Sequence, residues 1–297
     1  MPLSENAVIL VLLSAIVHVG WNTLLKSSDN PRTFALLKGT LLFLGAAIAS
    51  PWIPFHAIPS DLWPFVIASG VIHTGYIISL STAYETGDIS FVYPIARSSP
   101  ALVPFAAYWL IGEQISPQGA LGIGMVVLCI LALQKRPNVG RSGLRDILRR
   151  KDLVWALLTL STVVGYTIVD KAGMVRFAEA NEIDPVWRGP IYFVLENALC
   201  YALFWLYMFV KGLPNIRVTF RTEGVSIAAA ALGTILSYSL ILYVLQTEAV
   251  SYVVTLRQSS VFMAVVAGTI FFKEGQPVYR ITIAIILLAG FYLVSTA

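Results

Sequence analysis

An all-α membrane protein, with ten transmembrane helices arranged as two inverted five-helix repeats, is the fold this sequence predicts. Three observations carry the expectation: a composition suited to lipid, ten apolar runs of spanning length, and a likeness between the two halves of the chain. The chain has 297 residues, 57% of them hydrophobic and 12% charged, with a mean hydropathy of +0.78. Soluble domains carry about 25% charged residues, so lipid is the expected solvent.

A helix needs about 20 residues to cross roughly 30 Å of hydrocarbon. The runs that meet this need, in order, are 7–26, 33–54, 62–84, 89–111, 118–135, 153–172, 186–210, 224–245, 249–272 and 278–296. Nothing basic precedes the first run, and it outlasts the apolar core of a signal peptide, so it is kept as helix 1. Between the fifth and sixth runs lie Lys135, Arg136, Arg141, Arg145, Arg149, Arg150 and Lys151 against a single acid, Asp146. Leu144, Ile147 and Leu148 fall there at helical spacing, as in a short interfacial helix. The positive-inside rule puts this loop in the cytoplasm and both termini outside, with Lys171 and Arg176 dissenting. The pI near 9.0 thus reflects charge beside a membrane, not a nucleic-acid surface.

The second half matches the first at an offset of 161 residues. Ile89, Ser90, Phe91 and Val92 fall on Val250, Ser251, Tyr252 and Val253; Ser98-Ser99 falls on Ser259-Ser260, and Glu113 on Glu274. Nearer the front the offset is 145, pairing GWNTLLK at 20–26 with GYTIVDK at 165–171. The expected domains are therefore a first repeat at 1–135, a basic connecting loop at 136–152 and a second repeat at 153–297. Five crossings are an odd number, so the second copy is inverted. Inverted repeats suit alternating access.

Ionisable residues at membrane depth face a cavity or a partner by default. In helix 1, Ser14, His18, Asn22 and Lys26 share one face. They form either a helix–helix seam, with Lys26 reaching to the surface, or one wall of a cavity. Helix 3 carries His73 near mid-membrane with Tyr76 one turn on, as a satisfied structural group or a proton carrier. In helix 4, Tyr93 and Arg97 share a face, and Pro94, Pro100 and Pro104 open the backbone. Arg97 either holds a substrate carboxylate or pairs with Glu196 of helix 7; Arg257 in helix 9 offers the same choice. Helix 6 brings Tyr166, Asp170 and Lys171, where Asp170 neutralises its neighbour or bridges to another helix. Lys26, Asp170 and Lys171 read as gate or helix-end residues. Tyr192, Asn197, Tyr201, Tyr238 and Gln258 are the remaining mid-helix candidates, and Trp21, Tyr76, Tyr93 and Tyr166 are the aromatic ones. Such a cavity suits a neutral zwitterion with a hydrophobic side chain.

GWNTLLK, DISFVYPIARSSPAL at the opening of helix 4, the GE at 112–113 and the five-plus-five repeat together resemble the drug/metabolite transporter superfamily. The resemblance is to EamA-type ten-helix transporters, and within them to bacterial exporters of aromatic and other neutral amino acids. It implies a multi-pass protein of the bacterial inner membrane that exports amino acids or related small metabolites, with no cofactor. The second copy departs from the pattern, having Val254-Thr255 where the first has Tyr93-Pro94. The expected partners are an amino-acid-like small molecule and the bilayer, with no nucleic acid, and the expected state is a monomer.

Two rivals stand beside this. Efflux of lipophilic cations would make a buried acid such as Glu196 the key group. An integral-membrane enzyme is remote, because six of seven aspartates (Asp29, Asp61, Asp88, Asp146, Asp152, Asp184) fall at loops or helix ends. No CxxC, HExxH, GxxxxGK[ST] or GxSxG string occurs, so no metal or catalytic role is expected. Cys129 and Cys200 read as packing residues.

Overall fold

The computed structural model of the protein describes residues 2–86, 92, 95–96, 98–133, 151–179, 182–212, 216–263 and 277–297. Among these, every regular element is helical. Ten α-helices are delimited: α1 Glu5–Lys26, α2 Pro31–Ala49, α3 Trp63–Thr86, α4 Ser99–Ile111, α5 Pro117–Leu133, α6 Lys151–Ala178, α7 Pro185–Lys211, α8 Ile216–Leu245, α9 Val250–Arg257 and α10 Pro277–Ser295. Three single 3-10 turns, Ser50–Trp52, Phe55–Ala57 and Ser60–Leu62, join α2 to α3. By length and composition, α1, α2, α3, α6, α7 and α8 are each long and apolar enough to cross a membrane; α4, α5 and α10 are shorter apolar helices. Large apolar side chains face outward, Trp109 at 80% and Val225 at 88% exposure among them, as lipid permits and water does not.

Helix ends follow local chemistry. Asn30 caps α2, its side chain accepting from Thr33 N–H at 3.1 Å, with Pro31 in the first turn where no donor is needed. Asp184 and Pro185 do the same for α7. Gly112, at φ 68°, ends α4, and Glu113 N–H reaches back to Ala107 O at 3.1 Å. The Glu113 carboxylate then accepts from Val250 N–H at 2.7 Å and Ser251 N–H at 3.0 Å, capping α9. The GE pair thus ends one helix and starts another.

Two helices outrun their expected lengths. α6 continues to Ala178 and α8 begins at Ile216, because hydropathy ends at charge whereas helix propensity does not. Arg176 bonds to Asp61 and to Glu179, three residues on, so this charged stretch is still helix. The run expected at 249–272 is interrupted: α9 stops at Arg257, Gln258 N–H turns back to Thr255 O at 3.0 Å, and helix resumes at 259–263. In the first half the interruption falls at Ser98, ahead of α4, one residue from the corresponding place. The basic loop expected at 136–152 lies outside the described residues up to 150.

The chain divides into two compact units. Unit A comprises residues 9–74 and 169–248; unit B comprises 1–8, 75–168 and 249–297. Each draws on both halves of the sequence. In unit A, Phe34 and Leu37 of α2 pack on Ile227 and Ala230 of α8, with Trp21 beside them. In unit B, α5 and α10 approach so closely that a Cβ on Gly122 would come within 2.8 Å of Gly290 O.

Candidate functional site

Four helices of unit A converge on the hydroxyl of Ser69. Ser69 and His73 lie one turn apart on α3, Asp170 comes from α6, Tyr192, Glu196 and Asn197 from α7, and Tyr238 from α8. Ser69 Oγ lies 2.5 Å from Asp170 Oδ1 and 3.1 Å from His73 Nδ1, and bonds to Glu196 Oε2. Tyr238 OH donates to Asp170 Oδ2, and Tyr192 OH approaches Oδ1 at 3.4 Å. Asn197 Nδ2 donates to Glu196 Oε1 at 3.2 Å. His73 Nδ1 sits 3.1 Å from the Ser69 carbonyl and 3.6 Å from Glu196 Oε2, its ring edge-on to Tyr238 at 5.6 Å. Asp170 is 0% and Glu196 1% exposed, so these bonds replace water entirely.

His73 Nδ1 donates to the Ser69 carbonyl or accepts from the Ser69 hydroxyl, according to its tautomer. A serine hydroxyl has one hydrogen, yet two carboxyl oxygens press against Ser69 Oγ. The second contact is a hydrogen bond only when a carboxyl group brings a hydrogen of its own. Asp170 receives Tyr238, while Glu196 receives Asn197 and is also hydrogen-bonded with Asp170 itself. Two carboxyl groups in contact with each other and with one hydroxyl are satisfied together when a single hydrogen is shared between them. The donor atoms of His73, Asp170 and Glu196 lie within 4.8 Å of one another, a spread that suits a cation. Ser69 Oγ lies among them, within hydrogen-bond distance of all three side chains.

The other expected residues fall elsewhere. Ser14 Oγ donates to Ser237 O at 2.7 Å and Trp21 Nε1 to Ser237 Oγ at 3.2 Å, so these two residues of α1 form a seam with α8. His18 packs edge-on to Trp21 at 4.8 Å, and Asn22 is half-buried. Lys171 lies inside α6, not at its end, and donates to Leu245 O at 2.9 Å and Glu248 O at 2.8 Å, closing the end of α8. Asp170, its neighbour in the chain, belongs to the Ser69 cluster. In unit B, Tyr76 and Tyr166 meet edge-on at 5.7 Å, Arg257 ends α9, and Gln258 is 5% exposed. Tyr93, Arg97 and the side chain of Lys26 lie outside the described residues.

Two participants escape sequence reasoning. Ser69 is small enough to vanish into an apolar run, although it stands one turn before His73. Lys38 of α2 is 6% exposed; its Nζ lies 3.3 Å from Thr234 Oγ1 and 4.3 Å from the centre of the Trp21 ring. A lone charge inside the run 33–54 was the signal available for it.

Residues 6–133 match the EamA-like transporter family. The match covers α1 to α5, so the first half of the chain is similar to a membrane-transporter family. The EamA-like segment holds Trp21, Lys38, Ser69 and His73, whereas Asp170, Glu196 and Tyr238 lie beyond it. A solved crystal structure, described only as that of a protein, is similar over 98% of this chain and 96% of its own, with a TM-score of 0.69 and 12% identity. At that identity the likeness is one of fold. No curated protein matches the sequence.

Proposed function

We propose that the protein is an alternating-access transporter of the inner membrane that exports amino acids or related small metabolites, neutral and with aromatic or hydrophobic side chains. The observation that carries this reading is the pair of buried carboxyl groups, Asp170 and Glu196, that meet at the Ser69 hydroxyl. A substrate ammonium group brings three N–H donors and can satisfy both carboxylates at once, but only after the carboxyl hydrogen has left. Ammonium and proton thus compete for one place, the condition that exchange requires. Phe193, Tyr192 and Tyr238 border the cluster and suit an apolar side chain. The EamA-like first half supports transport.

The test is flux in liposomes. Purified protein is expected to carry labelled phenylalanine inward, faster when the lumen is acidic, so that protons leave as substrate enters. If no amino acid in a broad panel moves down its gradient, the reading fails. A second reading, efflux of lipophilic cations, is favoured by the same two buried acids beside aromatic rings. It requires flux of labelled tetraphenylphosphonium that Glu196→Gln abolishes and Arg97→Ala leaves intact.

A further inference from the structure

Lys38 is a cation buried inside α2, and among the described residues no carboxylate lies within ion-pair distance of it. Its ammonium has three hydrogens. Thr234 Oγ1 can accept one at 3.3 Å, because that hydroxyl spends its own hydrogen on Ala230 O at 2.7 Å. The face of Trp21 takes a second. Beside the third the described residues place the Cys200 thiol, a weak acceptor at best. Leucine or methionine would fill the same space without desolvating a charge. At 6% exposure the side chain does not reach out to a headgroup layer either.

The frame around it is fixed. Trp21 is held by its bond to Ser237 and rests on Gly233, where a Cβ would come within 3.0 Å of the Trp21 Cβ. Gly39, next in the chain, lies so close to Tyr201 that a Cβ would fall 1.9 Å from its ring. That contact sets Lys38 beside the turn of α7 that follows Glu196, about 6 Å further along the axis. Cation and acid cluster are therefore offset by roughly one helical turn within a single unit.

We propose that Lys38 is the anion-binding group of the transport site and takes the carboxylate of a small monocarboxylate substrate. This rests on the transport reading: the Ser69 cluster receives the ammonium, and Lys38 the carboxylate, of the same zwitterion. One lysine against an aromatic face matches a single negative charge. A phosphate ester, with two charges, would need a guanidinium fork or a second cation.

Two probes, each carrying half of the zwitterion, test the assignment in nanodiscs. Labelled benzoate has the carboxylate without the ammonium, and labelled phenethylamine has the reverse. Lys38→Met is expected to weaken benzoate binding by about tenfold or more while phenethylamine stays within about twofold. Lys38→Gln, which keeps a donor for Thr234, should give the same split, and Lys38→Arg should retain benzoate. The proposal is overturned if wild type binds no benzoate, or if the neutral variants weaken both probes alike or neither. Phenylalanine flux in liposomes is measured alongside. Lys38-dependent benzoate binding in a protein that moves no amino acid would leave the anion site standing and remove the transport reading instead.

Discussion

Replacing Ser69 by alanine removes the one group that both buried acids share. The hydroxyl meets Asp170 Oδ1 at 2.5 Å and also bonds Glu196 Oε2. Without it, Asp170 Oδ1 keeps Tyr192 at 3.4 Å and Glu196 Oε2 faces His73 Nδ1 at 3.6 Å, both beyond a good hydrogen bond, and the two carboxyl groups are left to each other. Two buried oxygens lose their partner, at about 1–3 kcal/mol each. Water entering the gap recovers part of this, so a net loss of about 3 kcal/mol is expected for Ser69→Ala. Unfolding by SDS in mixed micelles, followed by tryptophan fluorescence, measures it. The double variant Ser69→Ala/Glu196→Gln sharpens the test, because the new amide can donate to Asp170. Its loss should fall short of the sum of the single losses by about 1 kcal/mol or more. A Ser69→Ala protein within about 0.5 kcal/mol of wild type, with additive effects in the double variant, would refute the shared-proton argument.

Three further outcomes are expected. Glu196→Gln should uncouple phenylalanine movement from the pH gradient, so that flux in liposomes no longer rises when the lumen is acidified. Glu113→Ala should cost about 2–3 kcal/mol by removing two charged bonds to the start of α9, with Glu113→Gln losing roughly half of that in the same unfolding assay. Gly39→Ala should cost about 1–3 kcal/mol, because its Cβ would sit 1.9 Å from the Tyr201 ring. Gly124→Ala, which meets nothing within 4 Å, serves as the neutral control in thermal unfolding.

Helices and their order were legible because apolar length is a local property: ten α-helices are delimited among the described residues, six of them long and apolar enough to cross a membrane. The site was legible only in part. Glu196 and His73 announced themselves as ionisable groups inside apolar runs. Asp170 looked like a helix end, because hydropathy fades at Lys171 while α6 continues to Ala178. What joins these residues is Ser69, whose partners lie 101 and 127 positions away on other helices. No periodicity within one helix encodes such a meeting. Lys38 shows the opposite case: its charge was plain to see, but its meaning depends on the absence of a carboxylate partner among the described residues, which sequence does not display. The Glu113 cap is similar, since GE marks a turn locally while its carboxylate serves a helix 137 residues further on.

Because each unit draws its parts from both halves of the chain, neither can be completed early in synthesis. α1, α2 and the first turns of α3 enter the bilayer well before α6 to α8 exist. Ser69 waits for Asp170 through 101 residues of translation, on the order of ten seconds at about 5–20 residues per second. Unit B waits longer still, since Leu3 N–H bonds to Ser295 O, at the far end of the chain, at 3.2 Å. During that interval Lys38, Ser69 and His73 are polar groups within a nascent bundle that lacks their partners. Sheltering them falls to the insertion machinery, and two separately made halves of this chain should find each other in the membrane to finish the job.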